Sequence, residues 1–327
     1  MDASNALMKA GQIASQVREE AVSLVEVGRP ILEICEFVRR EIKKRGGEQA
    51  FPCNVDINEV AAHYTSPIGD VSVIEEGSIV KIDIGVHVDG YIADTAVSVC
   101  LEPRLRGMVE AAQAGLDVAI SSVRAGVNTS DIGAVIERTI KSRGYNPIRN
   151  LTGHRMARYV VHSGQAIPNV AAPDGHRLNV GDVYAIEPFT VPPDAASVVI
   201  DGPVGHIYLF TKKRKVNGET SKRMLKFIQS NYRTMPFASR WVLERFPGGD
   251  GVEAFRELQR SRCLYSYPQL VERSRAPVAQ AEHTVIVTEE GCLVTTALLF
   301  FGSARLWIPV MTMFPSHLVQ GSSSLLM

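Results

Sequence analysis

Two aspartates, Asp83 and Asp94, occupy positions where a carboxylate is unexpected. They lie in IVKIDIGVHVDGYIADTAVSV (residues 79–99), whose other residues are mostly those of buried β-strands. Burying an ionised carboxylate costs free energy unless a cation offsets its charge. Carboxylate oxygens are also common ligands of divalent metal ions. The stretch therefore raises the hypothesis of a metal site.

The relative position of the two aspartates follows from the turn between them. An Asp-Gly pair at residues 89–90, between alternating apolar residues, predicts a two-residue hairpin of type I′. In that register Gly85 faces Asp94, and since side chains alternate along a strand, Asp83 shares the face of Asp94. Such diagonal neighbours have Cβ atoms roughly 7–8 Å apart, close enough to share a metal centre. The alternative is that one aspartate is a solvated edge residue and the other pairs with Lys81.

Other candidate ligands lie in or beside strand-like runs elsewhere. His154 and His162 come from LTGHRMARYVVHSGQ, Glu187 from YAIEPF and Glu282 from AQAEHTVIV. Each alone has an ordinary alternative, either a buried histidine with satisfied hydrogen bonds or a glutamate at a strand end. Together with the two aspartates they form a set dominated by carboxylate oxygens, with one or two imidazoles. Such a set favours a pair of divalent ions of the Co, Mn, Fe or Zn kind over a thiolate-lined structural zinc site.

The composition is that of an ordinary soluble globular protein. Of 327 residues, 45% are hydrophobic and 21% charged, and 35 basic residues balance 35 acidic ones, so no polyanion-binding bias is expected. Five cysteines without CxxC spacing predict free thiols in a reducing compartment. The amino-terminal stretch lacks the apolar core of a signal peptide, and no apolar run reaches the ~18–20 residues of a membrane span. We therefore expect a cytoplasmic protein without membrane contact.

Hydrophobic periodicity predicts a mixture of helices and strands. Two helices followed by strands occur twice along the chain, which indicates a faint internal duplication. The predicted helices span 4–26, 29–46, 105–123 and 129–143, and the predicted strands lie near 51–57, 79–99, 182–189 and 281–296.

A basic helical segment interrupts two strand-rich blocks and reads as an insertion into the main domain. Its charge suggests a nucleic-acid or ribosomal surface, although basic helical faces are more often simply solvated. The carboxy-terminal tail is apolar but broken by prolines and charges. We predict a catalytic domain of 1–204 and 269–296, an insertion of 205–268 and an atypical tail of 297–327.

Five separated motifs together resemble the type 2 methionine aminopeptidases, in their archaeal form, of the pita-bread metallopeptidases. These motifs are FPCNVDINEVAAHYTSPIGD, VKIDIGVHVDGYIADTA, LTGHRMARYVVHSGQAIPNV, YAIEPF and EHTVIVTEEGCLVTT, and the resemblance extends from about residue 4 to 296. It implies an α+β pita-bread fold with a pseudo-twofold repeat, and the segment near 205–268 matches the helical insertion of type 2 enzymes.

The resemblance also implies roles for individual side chains. Two ions would share Asp94 and Glu282 as bridging ligands, with Asp83 on one ion and His154 with Glu187 on the other. The remaining positions match substrate contacts: His63 near the scissile bond, His162 at the peptide carbonyl, and Phe51 with His206 as walls of the methionine pocket.

The implied activity is hydrolysis of the first peptide bond of nascent proteins, releasing the initiator methionine. Nascent polypeptide amino termini are the implied substrates, with a transient ribosome contact and a monomeric chain. Two alternatives share the fold: a prolidase or aminopeptidase P, which selects proline at the second position, and a non-enzymatic binding relative that has lost metal ligands. The presence of all five ligands disfavours the second, and the insertion and the FPCNVDIN context disfavour the first.

Overall fold

Helices and antiparallel sheets alternate through residues 2–298, which are the part of the chain that this computed structural model describes. The four helices predicted in the first half are confirmed, with ends shifted by a few residues. The helices are α1 (Ala3–Val22), α2 (Ile31–Lys44), α3 (Arg106–Ser122), α4 (Thr129–Lys141), α5 (Glu219–Tyr232), α6 (Ser239–Arg245) and α7 (Gly248–Arg260), with a 3-10 turn at Pro103–Leu105.

Side-chain caps define the starts of two of these helices. Helix α1 begins after Asp2, whose Oδ1 accepts the backbone N–H of Asn5 at 2.8 Å. Helix α4 begins after Asn128, whose Oδ1 accepts the N–H of Ser130 at 2.9 Å. Such caps satisfy backbone donors that the first helical turn leaves without a partner.

Four antiparallel sheets are formed among the described residues. The first contains β1 (Glu48–Gln49), β2 (Asn54–Ile57), β4 (Ile79–Val88) and β5 (Tyr91–Cys100); the second contains β6 (Asn146–Pro147), β10 (Phe189–Val191) and β14 (Ala279–Gln280). The third contains β3 (Val60–Ala62), β11 (Val199–Phe210), β12 (Phe237–Ala238) and β13 (Leu264–Glu272); the fourth contains β7 (Thr152–Met156), β8 (Ala166–Pro168), β9 (Val183–Ile186), β15 (His283–Val287) and β16 (Cys292–Val294).

The two main cores repeat one arrangement. Helix α1 packs on β4 and β5, helix α2 packs on α1 and on β1 and β2 of the same sheet, and the residues between them form one buried cluster. Helices α3 and α4 pack in the same way on the sheet that contains β9 and β15. Two helix pairs on two antiparallel sheets give the predicted α+β pita-bread architecture with its internal repeat.

The later helices have a core of their own. Helices α5, α6 and α7 bury apolar side chains against one another and against β11 and β13. Both strands extend beyond the predicted limits of the insertion, so these helices are attached to the rest of the protein through the third sheet. Except for its first two residues, the predicted tail of 297–327 lies outside the described residues.

Candidate metal centre

The hairpin of β4 and β5 has the predicted register. Gly85 is paired with Asp94 and Asp83 with Ala96, and the turn residues at 89–90 have positive φ values of 52° and 84°, as a type I′ turn requires. Asp83 and Asp94 therefore lie diagonally on one face of the sheet. Both are buried, with 8% and 3% of their surface exposed.

Gly85 allows an aromatic ring to lie beside these carboxylates. A Cβ atom at this position would come within 2.2 Å of Cε1 of Phe51, so only glycine leaves room for the ring. The ring of Phe51 therefore packs against Gly85, the residue that is paired with Asp94 across the hairpin.

His154 reaches the same place from strand β7. Its Nε2 lies 3.5 Å from Oδ2 of Asp94 and 3.6 Å from Oε1 of Glu187, which directly follows β9. Its Nδ1 lies 2.9 Å from the carbonyl oxygen of Val161. Since a carbonyl only accepts, Nδ1 carries the proton, and the lone pair of Nε2 faces the carboxylates. This is the tautomer and orientation that a metal-ligating histidine needs.

Glu282 completes the cluster from the segment between β14 and β15. Its backbone N–H donates to Ala96 at 3.1 Å, and its Oε2 accepts from the side-chain amide of Gln280 at 3.3 Å. Donor atoms of Asp94, His154 and Glu282 all lie within 4.8 Å of one another. Three separate parts of the chain therefore bring potential ligands to one point.

The electrostatics of the cluster favour a cation. Burial, reinforced by the negative charges of neighbouring carboxylates, raises the pKa values of Asp94, Glu187 and Glu282 well above their ordinary range. Burial raises the pKa of Asp83 to about 6 and, with the proximity of His162, lowers that of His154 to about 3. These shifts are those expected when charged forms lack compensation.

Two of these carboxylates each have one oxygen without a hydrogen-bond donor among the described residues. Oδ1 of Asp83 and Oδ1 of Asp94 are buried and find no hydrogen-bond donor among residues 2–298. Buried acceptors normally have a partner, and a bound cation would supply one to these two atoms. Four carboxylates with one neutral imidazole fit divalent ions of borderline to hard character.

A buried apolar group adjoins the carboxylate cluster. Ile92 and Met156 lie two residues from Asp94 and His154 on the same strands, and alternation puts each beside the ligand. They belong to this group, which also contains Ala50, Phe51, Val161, Ala185 and Met235. The resemblance implies Phe51 as a wall of the methionine pocket, and that role stays a prediction; Met235, which follows α5, had no sequence signal because its approach depends on how the insertion packs.

The two predicted substrate histidines lie next to this centre. The rings of His162 and His154 have centroids 4.2 Å apart. His63 has a positive φ of 73°, donates from Nδ1 to the carbonyl of Pro268 at 3.2 Å, and contacts the ring of Tyr267 edge-on at 5.3 Å. Burial lowers the pKa values of both histidines, that of His63 to about 4, so both are neutral at pH 7. Strained backbone at a non-glycine residue is frequent at functional sites.

His206 has different surroundings. It lines a cavity of about 150 Å³ together with Tyr208 and residues of the helical insertion, including Ser239 and Phe255. Its electrostatic neighbours are Asp70 and Arg240 rather than the carboxylate cluster. A role for His206 in the methionine pocket stays a prediction.

Residues 5–289 match the sequence model of a protein family described as "Metallopeptidase family M24". It is 48% identical to a methionine aminopeptidase of Methanothermobacter thermautotrophicus over 88% of this chain and 97% of that one. It is 46% identical to a methionine aminopeptidase of Thermococcus kodakarensis over 90% of this chain and 100% of that one. In structure it resembles the methionine aminopeptidase of Thermotoga maritima, with a TM-score of 0.62 and 22% identity over 89% of this chain and 95% of that one.

The chain belongs to metallopeptidase family M24. Within that family it groups with the methionine aminopeptidases, of which the two archaeal proteins are members. Among the described residues no helix is both long and apolar enough to cross a membrane.

Proposed function

We propose that this chain removes the amino-terminal methionine from proteins, by hydrolysis of the first peptide bond at a pair of divalent metal ions. The activity is the one by which its relatives of 44–48% identity are named. The observation that carries the proposal is the buried group of Asp94, His154 and Glu282, whose donor atoms converge within 4.8 Å. The relatives, which are named methionine aminopeptidases, favour this activity over that of a prolidase and over a non-enzymatic binding role.

We assign the ligands as the resemblance implies. Asp94 and Glu282 would be shared by two ions, Asp83 would bind one of them, and His154 and Glu187 would bind the other. When bound, such ions lower the pKa of a water molecule and polarise the carbonyl of the scissile bond. The oxygen-rich donor set with a single imidazole suits Co, Mn, Fe or Zn.

Glu187 is the proposed proton carrier. Its Oε1 lies 3.6 Å from Nε2 of His154, inside the carboxylate cluster. A carboxylate in hydrogen-bond reach of the reacting groups can accept a proton and return it. We propose that Glu187 accepts a proton from the attacking water and passes it to the leaving amine.

His162 and His63 are proposed to hold the substrate. A neutral imidazole can donate one hydrogen bond. His162 lies beside His154, and we propose that it donates to the carbonyl oxygen of the scissile bond. A donor of this kind is typically worth about 3–4 kcal/mol of barrier. His63, held by Pro268 and packed on Tyr267, is proposed to contact the substrate near the same bond.

The methionine side chain is proposed to occupy the apolar pocket formed by Phe51, Ile92, Val161 and Met235. This pocket is uncharged and directly adjoins the ligand face of β5. We keep His206 as a candidate wall on the insertion side, where it lines its own cavity. Shape and apolar contact then select methionine over a charged residue.

We further propose that residues 205–268 form an insertion on the catalytic domain of 1–204 and 269–296. The separate core of α5, α6 and α7 supports this division. A run of four exposed basic residues at 212–215 supports a transient contact with ribosomal RNA phosphates. One chain supplies all five ligands, which supports a monomer, and five free cysteines support a cytoplasmic location.

The test is metal content and activity measured on one preparation. Purified protein loaded with Mn²⁺ or Co²⁺ is expected to hold two ions per chain by elemental analysis and to release methionine from Met-Ala-Ser. A metal-free sample is expected to be inactive and to recover on adding the ion. A peptide with proline at the second position, cleaved in preference to Met-Ala-Ser, would favour the prolidase alternative instead.

A further inference from the structure

Strand β5 and the segment formed by β14 and β15 belong to different sheets, and hydroxyl side chains join them. Thr284 Oγ1 accepts from the backbone N–H of Asp94 at 2.7 Å and donates to the carbonyl of Asp94 at 2.8 Å. Ser98 Oγ accepts from the N–H of Gln280 at 2.8 Å and donates to its carbonyl at 2.7 Å. Each hydroxyl thus forms hydrogen bonds with both the backbone N–H and the backbone carbonyl of one residue on the opposite segment.

A third hydroxyl lies between these two. Thr95 Oγ1 lies 2.9 Å from the carbonyl oxygen of Glu282 and 2.5 Å from Nη1 of Arg18. A guanidinium group can only donate, so Thr95 accepts from Arg18 and its own proton points to Glu282. Arg18 belongs to α1, and its side chain is 8% exposed. We call Thr95, Ser98 and Thr284 the hydroxyl seam.

The hydroxyl seam holds the backbone of two proposed metal ligands. Thr284 binds both backbone groups of Asp94, and Thr95 binds the carbonyl of Glu282, whose N–H donates to Ala96 at 3.1 Å. Asp94 lies on the first sheet, whereas Glu282 lies just before the fourth. The separation of their carboxylates therefore depends on how these two sheets are held together.

Hydrogen bonds from the seam hydroxyls fix the distance between the two sheets more tightly than apolar packing does. Each hydrogen bond between the segments sets a distance of 2.7–2.9 Å, and Thr284 and Thr95 are fully buried, so water does not compete for their partners. Groups that orient metal ligands from behind typically alter metal affinity or activity by about 10–100-fold when they are removed.

We infer that the hydroxyl seam, with Arg18 behind it, positions Asp94 and Glu282 for shared binding of two ions. This inference rests on the proposed assignment of those two residues as bridging ligands. The seam residues do not touch the reacting atoms; they are positioning residues. Their effect should appear in metal affinity and in kcat rather than in KM, because the apolar pocket that binds methionine is formed by other residues.

A purely structural role makes a different prediction. If the hydroxyls only satisfy buried backbone groups, removing one lowers the stability of the protein and leaves metal affinity in the folded fraction unchanged. Thr190 provides the matched control. It is also a fully buried threonine, and its hydroxyl donates at 2.9 Å to a backbone carbonyl, that of Met108 in α3.

The experiment compares Thr284→Val, Thr284→Ser and Thr190→Val in the full chain. Mn²⁺ binding to the metal-free proteins is measured by calorimetry, with thermal melting of the metal-free proteins and steady-state kinetics alongside. We expect Thr284→Val to weaken binding of Mn²⁺ by about 10–100-fold and to lower kcat with KM nearly unchanged. Thr284→Ser keeps the hydroxyl and should restore the affinity, whereas Thr190→Val should lower only the melting temperature.

Equal melting losses in Thr284→Val and Thr190→Val, with wild-type Mn²⁺ affinity in both, would overturn the inference. If Thr284→Val does not fold, Thr95→Val and Ser98→Ala are used in its place; weakened Mn²⁺ binding in either supports the seam, and unchanged binding in both overturns it. Failure of the proposed function itself has a separate signature, since the wild-type protein would then bind no Mn²⁺ or would release no methionine from Met-Ala-Ser.

Discussion

Asp56 and Asp83 are buried carboxylates on neighbouring strands of one sheet, and they differ in what lies opposite them. In the pairing of β2 with β4, Asp56 faces Lys81, whereas Asp83 faces Asn54. Directly paired residues share a face, and Lys81 and Asp83 are two residues apart, so all four side chains lie on one side of the sheet. Asp56 therefore faces a lysine on the neighbouring strand, without a direct ion pair among the described residues, and Asp83 faces an amide.

The ammonium group of Lys81 is held inside the protein by backbone carbonyls. It is fully buried and donates from Nζ to the carbonyls of Asn58 at 3.1 Å and Val278 at 3.0 Å. Burial raises the pKa of Asp56, and the charge of Lys81 opposes that rise. For Asp83, burial raises the pKa while the side-chain amides of Gln280 and Asn54 oppose it.

The two buried acids differ in the sign of the charges around them. The charge of Lys81 and the backbone N–H of Tyr64, which donates to Oδ1 of Asp56 at 2.7 Å, partly offset the burial of Asp56. Asp83 faces neutral amides and other carboxylates, and that setting favours an external cation. The sequence alone left Lys81 as an ion-pair partner for one of the hairpin aspartates; in the structure its cross-strand partner is Asp56.

The largest expected effect comes from removing a charge on the metal side of this comparison. Asp94→Asn should reduce kcat/KM by at least about 10³-fold, because an amide cannot carry the charge that offsets two ions. Metal stoichiometry should fall below two while the fold persists. Asp89→Asn is the control, since Asn-Gly suits the same exposed turn. An Asp94→Asn enzyme with full activity and two ions would refute the ligand assignment.

A change on the structural side should act on stability instead. Asp56→Asn removes a negative charge that faces the buried ammonium of Lys81, so the unfolding free energy should fall, by at most the about 3–5 kcal/mol that breaking a buried ion pair costs. Metal stoichiometry in the folded fraction should stay at two. Asp83→Asn is the counterpart, and denaturant unfolding of its metal-free form should show no such loss. Similar losses of unfolding free energy in both variants would contradict the proposed difference between Asp56 and Asp83.

His162→Ala is expected to lower kcat/KM by about 10²–10³-fold, the usual effect of losing one donor to a developing oxyanion. Two ions should remain bound and the melting temperature should be nearly unchanged, because His162 is not among the assigned ligands. Kinetics, elemental analysis and thermal melting of one preparation decide this. A lowered melting temperature with near-normal kcat/KM would make His162 a structural residue.

The smallest effect concerns the pocket beside the ligands. A peptide that begins with norleucine should still be cleaved, within roughly 10–200-fold of one that begins with methionine, because a small change in an apolar pocket alters specificity by roughly 1–3 kcal/mol. A peptide that begins with lysine should be refused, since the pocket walls carry no charge. Equal kcat/KM values for methionine and lysine peptides would contradict this view of the pocket.

Local chemistry made much of the fold predictable. The Asp-Gly turn at residues 89–90 fixed the hairpin register, and thereby the common face of Asp83 and Asp94, because turn type determines which residues are paired. Helix ends could be located within a few residues from caps and glycines. His154, Glu187 and Glu282 came from motif resemblance, since no spacing rule links residues that meet only through tertiary packing.

The same reason explains what the sequence did not reveal. Thr95, Thr284 and Arg18 are ordinary residues for a strand and a helix, and their contacts arise only where two sheets and α1 meet. Met235 and Tyr267 lie beside the pocket and beside His63 because of how the insertion and the third sheet pack. Residue type and periodicity carry no signal for such meetings.

Titration of the metal-free protein with Mn²⁺ tests the central claim most directly. The raised pKa values of Asp83, Asp94, Glu187 and Glu282 mean that these carboxyl groups retain protons at pH values where exposed acids are ionised. A metal ion must displace those protons, so affinity should rise with pH. Calorimetry at pH 6, in two buffers with different ionisation enthalpies, should show two ions bound with release of protons. Absence of Mn²⁺ binding, or binding without proton release, would contradict the account.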